Sequence, residues 1–141
     1  MKHLLEVKIY YEDTDCGGVV YYANYLKYFE RARTELFESL GMDLKKLMDD
    51  GVFFVVTDAC LKYLSPGRYG DKFSVETWVD KIGAASILFG HRVLSEKTGD
   101  PIVEGTVKIA CVDRSMKPKR IRSDISESLK GYAQAVDMMD R

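Results

Sequence analysis

The sequence has few cysteines and no long apolar run. Its three cysteines, Cys16, Cys60 and Cys111, lie far apart without a C-x-x-C pair, so neither a disulfide framework nor a structural zinc site is predicted. Reduced thiols are typical of a cytoplasmic protein, and this is the location that we expect. No stretch approaches the roughly 20 apolar residues of a membrane span. Glu6 interrupts the first apolar residues, unlike a secretory signal.

The chain also lacks an excess of charge of either sign. It has 21 Lys and Arg residues against 22 Asp and Glu residues, a net charge of −1 at pH 7. A protein that binds a polyanion usually carries a basic surface, so no nucleic-acid partner is expected. With 141 residues, 46% of them hydrophobic, and three prolines, the chain has the size and the core of one folded domain over residues 1–141.

The hydrophobic pattern predicts an α+β domain. The predicted elements are a strand over 4–10, a loop over 11–24, helices over 25–40 and 43–50, strands over 52–64, 73–80, 86–96 and 102–113, and a C-terminal helix. Short connections between the strands favour antiparallel neighbours. A curved five-stranded sheet wrapped around the long helix covers the apolar face of both, and its open edges favour homo-oligomerisation.

Particular residues are expected at the helix ends. Asn24 is the predicted N-cap of the long helix, and Gly41 is its predicted stop. Asp124 and Glu127 resemble a capping box at the start of the C-terminal helix. The apolar stripe of that helix extends to Val136.

Several common active-site motifs are absent from the sequence. It has no Gly-x-Ser-x-Gly elbow, no phosphate-binding loop, no Gly-x-Gly-x-x-Gly and no His-Glu-x-x-His. His3 and His91 are the two histidines. His91 shares its strand parity with Phe89 and Val93, which predicts a buried, hydrogen-bonded structural histidine rather than a catalytic one.

Carboxylates cluster in the loop before the long helix. Asp13 and Asp15 match the first two ligands of an EF-hand loop, but Gly17 and Asn24 stand where further ligands are required, so no metal is predicted. Two interpretations remain. One is a solvated turn shaped by Asp and Gly. The other is a nucleophile or general base in a partly desolvated pocket, near helix N–H groups that stabilise an oxyanion. The position beside Gly17 and Gly18, at an apolar helix entrance, favours the second.

This region resembles a known enzyme family. Residues 11–25, YEDTDCGGVVYYANY, and 30–35, ERARTE, closely resemble the hotdog-fold acyl-CoA thioesterases of the 4-hydroxybenzoyl-CoA thioesterase class, with the Tol-Pal-associated branch the nearest. A Tyr-x-x-Pro-x-x-x-x-Asp pattern over 63–71 and Met-Lys-Pro over 116–118 extend the resemblance over most of the chain. It implies a hotdog fold, an antiparallel sheet around a central helix. It also implies homodimers, usually paired into homotetramers, with active sites at the subunit interface.

The resemblance also implies the catalytic residues. Asp15 attacks the thioester carbonyl or activates a water, while the backbone N–H of Tyr22 polarises the carbonyl oxygen. The Tol-Pal-associated branch commonly has His at the position of Tyr22, where the 4-hydroxybenzoyl-CoA enzymes have Tyr. The side chain of Tyr22 is therefore either functional or a wall of the pocket. No metal or cofactor is implied, because coenzyme A is part of the substrate.

Further residues are expected to contact the substrate. One group belongs to the catalytic loop or lines the acyl channel as a contribution from the neighbouring subunit, and the other meets the pantetheine, nucleotide or phosphates of coenzyme A. The first group is Gly18, Val55, Val56 and Thr57, and the second is Ser86, Lys117 and Lys119 with Arg120. Ordinary strand packing explains the β-branched residues equally well, and a solvated loop explains the basic ones.

These features predict an acyl-CoA thioesterase that hydrolyses an acyl-CoA or acyl-carrier thioester to the free acid and the thiol. A non-catalytic acyl-carrier-binding or scaffold module on the same fold is the alternative, motivated by Tyr22. A dehydratase on this fold is disfavoured, since that branch relies on a catalytic His and the loop has none.

Overall fold

A five-stranded antiparallel sheet wraps around one long helix. The computed structural model describes residues 1–133. Its strands are β1 (His3–Lys8), β2 (Phe53–Tyr63), β3 (Lys72–Ile82), β4 (Ser86–Ser95) and β5 (Pro101–Val112). Its helices are α1 (Asn24–Ser39), α2 (Leu44–Asp49) and α3 (Ser123–Leu129), with short 3-10 turns at Tyr11–Asp13 and Lys130–Tyr132. The strand order is β1-β3-β4-β5-β2, so the predicted α+β architecture is confirmed.

The apolar face of α1 fills the concave side of the sheet. Tyr28, Phe29, Ala32 and Leu36 are all fully buried, at the spacing of three and four residues that places them on one helix face. Close packing of Phe29 against the sheet depends on Gly105 in β5. A Cβ at that position would lie 3.0 Å from Phe29 Cε2 and 2.8 Å from the backbone oxygen of Cys60. The absence of a side chain at Gly105 therefore sets the distance between helix and sheet.

The outer face of the sheet carries the single tryptophan, Trp78. Its indole lies flat on the backbone of Gly90 in the neighbouring strand β4, where a Cβ would come within 2.2 Å of it. Lys2 Nζ lies 4.9 Å from the ring centroid and Arg92 Cζ lies 5.9 Å away, so two cations flank the ring. The indole N–H donates to Asp80 Oδ1 at 2.8 Å.

The sheet has two edge strands, β1 and β2. Most side chains in the middle of β2 are exposed, and Val56 retains 55% of its accessible surface. The pairing of β2 with β5 shifts register between Val56 and Asp58, a bulge that bends the strand. A long edge strand with exposed apolar side chains is typical of a surface that another chain covers.

One prediction about the ends of α1 is wrong, and one is confirmed. Ala23, whose methyl group accepts no hydrogen bond, occupies the N-cap position of α1. Asn24 lies inside the helix and bonds to Asp13 instead. Gly41 follows the last turn as predicted and donates its N–H to Glu38 O.

The capping box expected at α3 does not form either. The helix starts at Ser123 with Arg122 as its cap, so Asp124 lies inside the first turn, where its carboxylate accepts from the Arg122 guanidinium at 3.0 and 3.1 Å. Glu127 pairs with Lys130 at 2.8 Å. Val136 lies outside the described residues.

No helix among residues 1–133 is long and apolar enough to cross a membrane.

Candidate active site

The acidic loop forms a tight turn that presents Asp15. Asp15 N donates to Val19 O at 2.8 Å, and Gly18, at φ 79°, donates to Asp15 O at 3.1 Å. Asp15 Oδ1 accepts from Gly17 N at 2.8 Å and from Val19 N at 3.4 Å. This is the Asp–Gly turn of the simpler interpretation. It holds one carboxylate oxygen, while Oδ2 receives no hydrogen bond from any residue in 1–133.

Asp15 lies at one side of a cavity of about 360 Å³. Three tyrosines contribute to its wall: Tyr22 and Tyr25 from the start of α1, and Tyr63 from the end of β2. The rest of the lining is Val19, Val20, Leu64, Ser65, Pro66 and Gly67. A mostly apolar cleft with one carboxylate is the usual form of a small-molecule site.

Tyr22 lines this cavity, and its backbone N–H is a candidate oxyanion donor. It precedes α1, and it donates to no acceptor within the part of the chain that the structure describes. Its carbonyl oxygen accepts from Tyr63 Oη at 3.1 Å, and the two rings meet edge to face with centroids 6.3 Å apart. Burial, followed by the neighbouring Tyr22, raises the pKa of Tyr63, so Tyr63 stays a hydrogen-bond donor at neutral pH.

The structure brings Asp15 and Tyr22 together, but the expected desolvation of Asp15 is wrong for the single chain. The Asp15 side chain is exposed, and the Tyr22 side chain retains 61% of its accessible surface. Both face outward beside the unpaired edge strand β2, and no element of the described residues closes over them. The cavity forms one wall of a site rather than an enclosed pocket.

Of the other predicted substrate-binding residues, the three on β2 lie away from the Asp15 cavity. Val56 lines a second cavity between α1 and β2, Val55 lies beside it in β2, and Thr57 Oγ1 donates to Asp58 Oδ2 at 3.1 Å. Among the residues described, none of these three lines the Asp15 cavity. Gly18 is exposed on the turn that presents Asp15.

The residues assigned to coenzyme A form a separate region. Ser86 starts β4, and its carbonyl oxygen accepts from Gly83 N at 2.7 Å. Lys117 and Lys119 lie in the loop after β5, where Lys119 N donates to Cys111 O at 2.9 Å. Arg120 lines a cavity of about 350 Å³ with the turn before Ser86. The structure therefore brings Arg120 to that turn, but neither Arg120 nor the turn lines the Asp15 cavity.

His91 is a structural residue, as predicted. It is 1% exposed and stacks on Phe29 with centroids 4.3 Å apart. Arg33 Nη1 lies 3.2 Å from His91 Nε2, and a guanidinium only donates, so Nε2 accepts and the ring proton is on Nδ1, 3.0 Å from Thr77 Oγ1. Burial, and then Arg33, hold the pKa of His91 well below its usual value.

Two contributions to the site were not predicted from the sequence. Asp13 and Asn24 hold the loop to the helix, and Tyr63 contacts Tyr22. The Tyr-x-x-Pro pattern at 63–66 was a signal for Tyr63, since Pro66 lines the same cavity. No group of three or more His, Cys, Asp or Glu side chains in residues 1–133 is arranged to hold a metal ion.

Comparison with known proteins identifies relatives over most of the chain. The thioesterase-like superfamily matches residues 10–129. The acyl-CoA thioesterase YbgC of Haemophilus influenzae is 42% identical over 114 residues, covering 79% of this chain and 82% of the relative. The acyl-CoA thioester hydrolase YbgC of Escherichia coli is 35% identical over 125 residues, covering 88% and 92%.

Solved structures agree with the sequence relatives. The structure of a DHNA-CoA thioesterase from Staphylococcus aureus has a TM-score of 0.88 at 27% identity, covering 99% of this chain and 95% of that one. A 1,4-dihydroxy-2-naphthoyl-CoA thioesterase from Synechocystis shares the fold with a TM-score of 0.86 at 16% identity, covering 92% and 96%. The chain has the hotdog fold and belongs to the thioesterase-like superfamily.

Proposed function

We propose that the chain is an acyl-CoA thioesterase, which hydrolyses the thioester bond to a free acid and coenzyme A. The observation that carries the proposal is the pairing of a carboxylate oxygen and a backbone N–H, both unbonded within residues 1–133, at one cavity. Relatives that are named acyl-CoA thioesterases and cover most of the chain support the same activity.

The geometry supports a mechanism that needs one carboxylate and one backbone N–H. Asp15 Oδ2 either attacks the thioester carbonyl carbon or takes a proton from a water that attacks it. In both routes negative charge develops on the carbonyl oxygen, and the Tyr22 N–H at the start of α1 stabilises it. The C–S bond then breaks and the coenzyme A sulfur takes a proton. When water attacks directly, the product is the free acid. When Asp15 attacks, the product is an acyl–Asp15 anhydride, which a water molecule then hydrolyses to the acid and the Asp15 carboxylate. Because a thiolate leaves readily, one oriented carboxylate and one oxyanion donor suffice.

A second copy of the chain completes the site in this proposal. Asp15 and Tyr22 are exposed in the single chain and lie beside the unpaired edge of β2, with its apolar Val56. Pairing of β2 edges in a homodimer, with dimers joined as homotetramers, covers these residues and removes water from the carboxylate. The motif over 11–25 supports placement in the 4-hydroxybenzoyl-CoA thioesterase class, near its Tol-Pal-associated branch.

The test measures release of free thiol from short, long and aromatic acyl-CoAs by wild type, Asp15→Asn and the matched control Glu12→Gln. Glu12 is an exposed carboxylate in the same loop. We expect Asp15→Asn to reduce kcat at least about 100-fold, since general acid–base catalysis alone contributes that much. Its melting temperature and its affinity for coenzyme A should stay close to wild type. Glu12→Gln should retain activity.

Two results would contradict the proposal. Substantial turnover by Asp15→Asn would show that this carboxylate is not the catalytic group. If wild type releases no thiol from any acyl-CoA of the panel but binds acyl-carrier thioesters, the chain is the non-catalytic module instead.

A further inference from the structure

A second cavity, of about 400 Å³, lies between α1 and the edge of the sheet. Its lining is mainly apolar: Leu26 from α1, Val56 and Ala59 from β2, and Val107 from β5. Three charged residues of α1 complete it: Lys27, Glu30 and Arg33. Arg33 is the buried one of these three, with 7% of its accessible surface exposed.

Arg33 has hydrogen-bonding capacity that the described residues do not use. Within residues 1–133 its one side-chain hydrogen bond goes to His91, and no carboxylate there lies within ion-pair distance. His91 is neutral and accepts a single N–H, whereas a guanidinium has five. Burial lowers the pKa of Arg33 to about 10, and Glu30 raises it at longer range. The group is therefore charged at neutral pH. None of its nitrogens is both fully buried and unbonded, so the N–H groups that His91 does not accept are accessible to an anion in the cavity.

The cavity of Arg33 and the Asp15 cavity lie along the same helix and the same strand. On α1, Tyr25 lines the Asp15 cavity and Arg33 follows it by eight residues, which is about 12 Å along a helix axis. The long Arg33 side chain leans back toward the N-terminus. On β2, Ala59 and Tyr63 are an even number of residues apart and share a face. The same helix and strand thus wall both cavities.

We propose that Arg33 binds an anionic group at the far end of the acyl chain, so that the preferred substrates are acyl-CoA thioesters with a terminal carboxylate. This inference rests on the proposed function. With the thioester at Asp15, the acyl chain runs between α1 and β2, and its terminal carboxylate reaches the guanidinium. The planar fork of Arg matches the two carboxylate oxygens. A methyl terminus leaves the cation unpaired in an apolar cavity.

The test compares kcat/KM for pairs of CoA thioesters of equal chain length, one ending in a carboxylate and one in a methyl group, over short, medium and long chains. The proteins are wild type, Arg33→Gln, Arg33→Lys and the control Arg31→Gln. Arg31 is exposed on the same helix, so its substitution makes the same change in charge. We expect wild type to favour the carboxylate by at least about tenfold at one chain length, the typical value of a charge-assisted hydrogen bond.

Arg33→Gln should abolish this preference by raising KM for the carboxylate substrate, while kcat for the methyl substrate stays similar. Arg33→Lys should retain part of the preference, and Arg31→Gln all of it. Equal hydrolysis of both members of each pair by wild type overturns the inference and leaves the proposed function intact. An equal loss of both activities in Arg33→Gln also overturns it, because Arg33 then supports the fold or pairs with a second copy.

If no thioester is hydrolysed, the proposed function has failed, and calorimetric binding of the same pairs to wild type still tests Arg33. Tighter binding of the carboxylate member supports the subsite, and equal binding excludes it. This measurement also applies if Arg33→Gln does not fold, since it needs no variant.

Discussion

Asn24 Nδ2 donates to Asp13 twice, to the backbone oxygen at 3.2 Å and to Oδ1 at 3.3 Å. Asp13 Oδ2 accepts from Tyr10 N at 2.8 Å, and Asp13 O also accepts from Tyr21 N at 2.8 Å. Asp13 thus joins the beginning of the acidic loop to its end and to the first turn of α1. Asp15 lies between these fixed points, so its distance to the start of the helix depends on Asp13.

The variant Asp13→Ala should therefore lower kcat more than it raises KM. We expect a decrease in kcat of at least about tenfold and a loss of about 1–3 kcal/mol in the free energy of unfolding, because the largely buried Asn24 amide and the exposed Tyr10 N–H lose a side-chain acceptor. Asp13→Asn, which keeps one side-chain oxygen, should lie between Ala and wild type. Steady-state kinetics and urea unfolding measure both quantities. Lower stability with unchanged kcat would show that Asp13 does not position the loop.

Removal of one hydroxyl tests the contact between Tyr63 and Tyr22. Tyr63→Phe keeps the ring contact but loses the hydrogen bond to Tyr22 O, which is worth about 1 kcal/mol, or about fivefold in rate. We expect kcat to fall by up to that factor, with the melting temperature lowered by a few degrees at most. Tyr69→Phe is the control, since Tyr69 is 65% exposed and outside the Asp15 cavity. Equal kinetics for the two variants would exclude a role for the Tyr63 hydroxyl.

Stability should decrease as the pH falls below about 6.5, the ordinary pKa of histidine. Burial and Arg33 hold the folded-state pKa of His91 well below that value, so on acidification the unfolded chain binds a proton that the folded chain does not. The free energy of unfolding then falls by at most about 1.4 kcal/mol per pH unit. Chemical unfolding between pH 7 and pH 5 measures the slope.

His3 contributes in the same direction, because burial lowers its pKa too. His91→Gln should flatten the slope more than His3→Gln, since the pKa of His91 is the more strongly lowered. If His91→Gln leaves the slope unchanged, the buried ring is not the group that titrates.

Gly105→Ala should destabilise the fold by about 1–3 kcal/mol through overpacking. The added methyl group would meet the backbone oxygen of Cys60 and the ring of Phe29, and backbone cannot move aside as a flexible side chain can. Gly131→Ala is the matched control, because the nearest atom to its Cβ would be the Met1 side chain at 4.0 Å. Equal free energies of unfolding for the two variants would contradict this account.

The sequence was sufficient for the elements whose periodicity is strong. The apolar spacing of α1 and the alternation of β3 each repeat over several turns or pairs, so they predict both the element and its buried face. The prediction of Asp15 as the catalytic residue came from the resemblance of residues 11–25, and it stays a prediction; the structure places this residue at a cavity. These features depend on residues that are close in the chain.

Contacts between distant residues could not be predicted in this way. Asn24 is a good N-cap by type, but Asp13 offers it two acceptors, and this tertiary contact prevails over the local preference. The pairing of Arg33 with His91 joins residues 58 positions apart, which no local pattern encodes. Asp15 is exposed in the single chain, and the proposed covering by a second copy involves contacts between chains, which leave no local pattern in one sequence.

The position of Trp78 has a practical consequence for spectroscopy. As the chain's single indole, it dominates emission excited at long ultraviolet wavelengths, and it lies on the face of the sheet opposite to α1, between two cations. A change in its fluorescence therefore reports on what happens at the convex side, such as the docking of another subunit there. Acyl ligands that bind against the tyrosines of the Asp15 cavity should leave the Trp78 emission nearly unchanged. Subunit assembly and ligand binding can therefore be followed separately in the unlabelled protein.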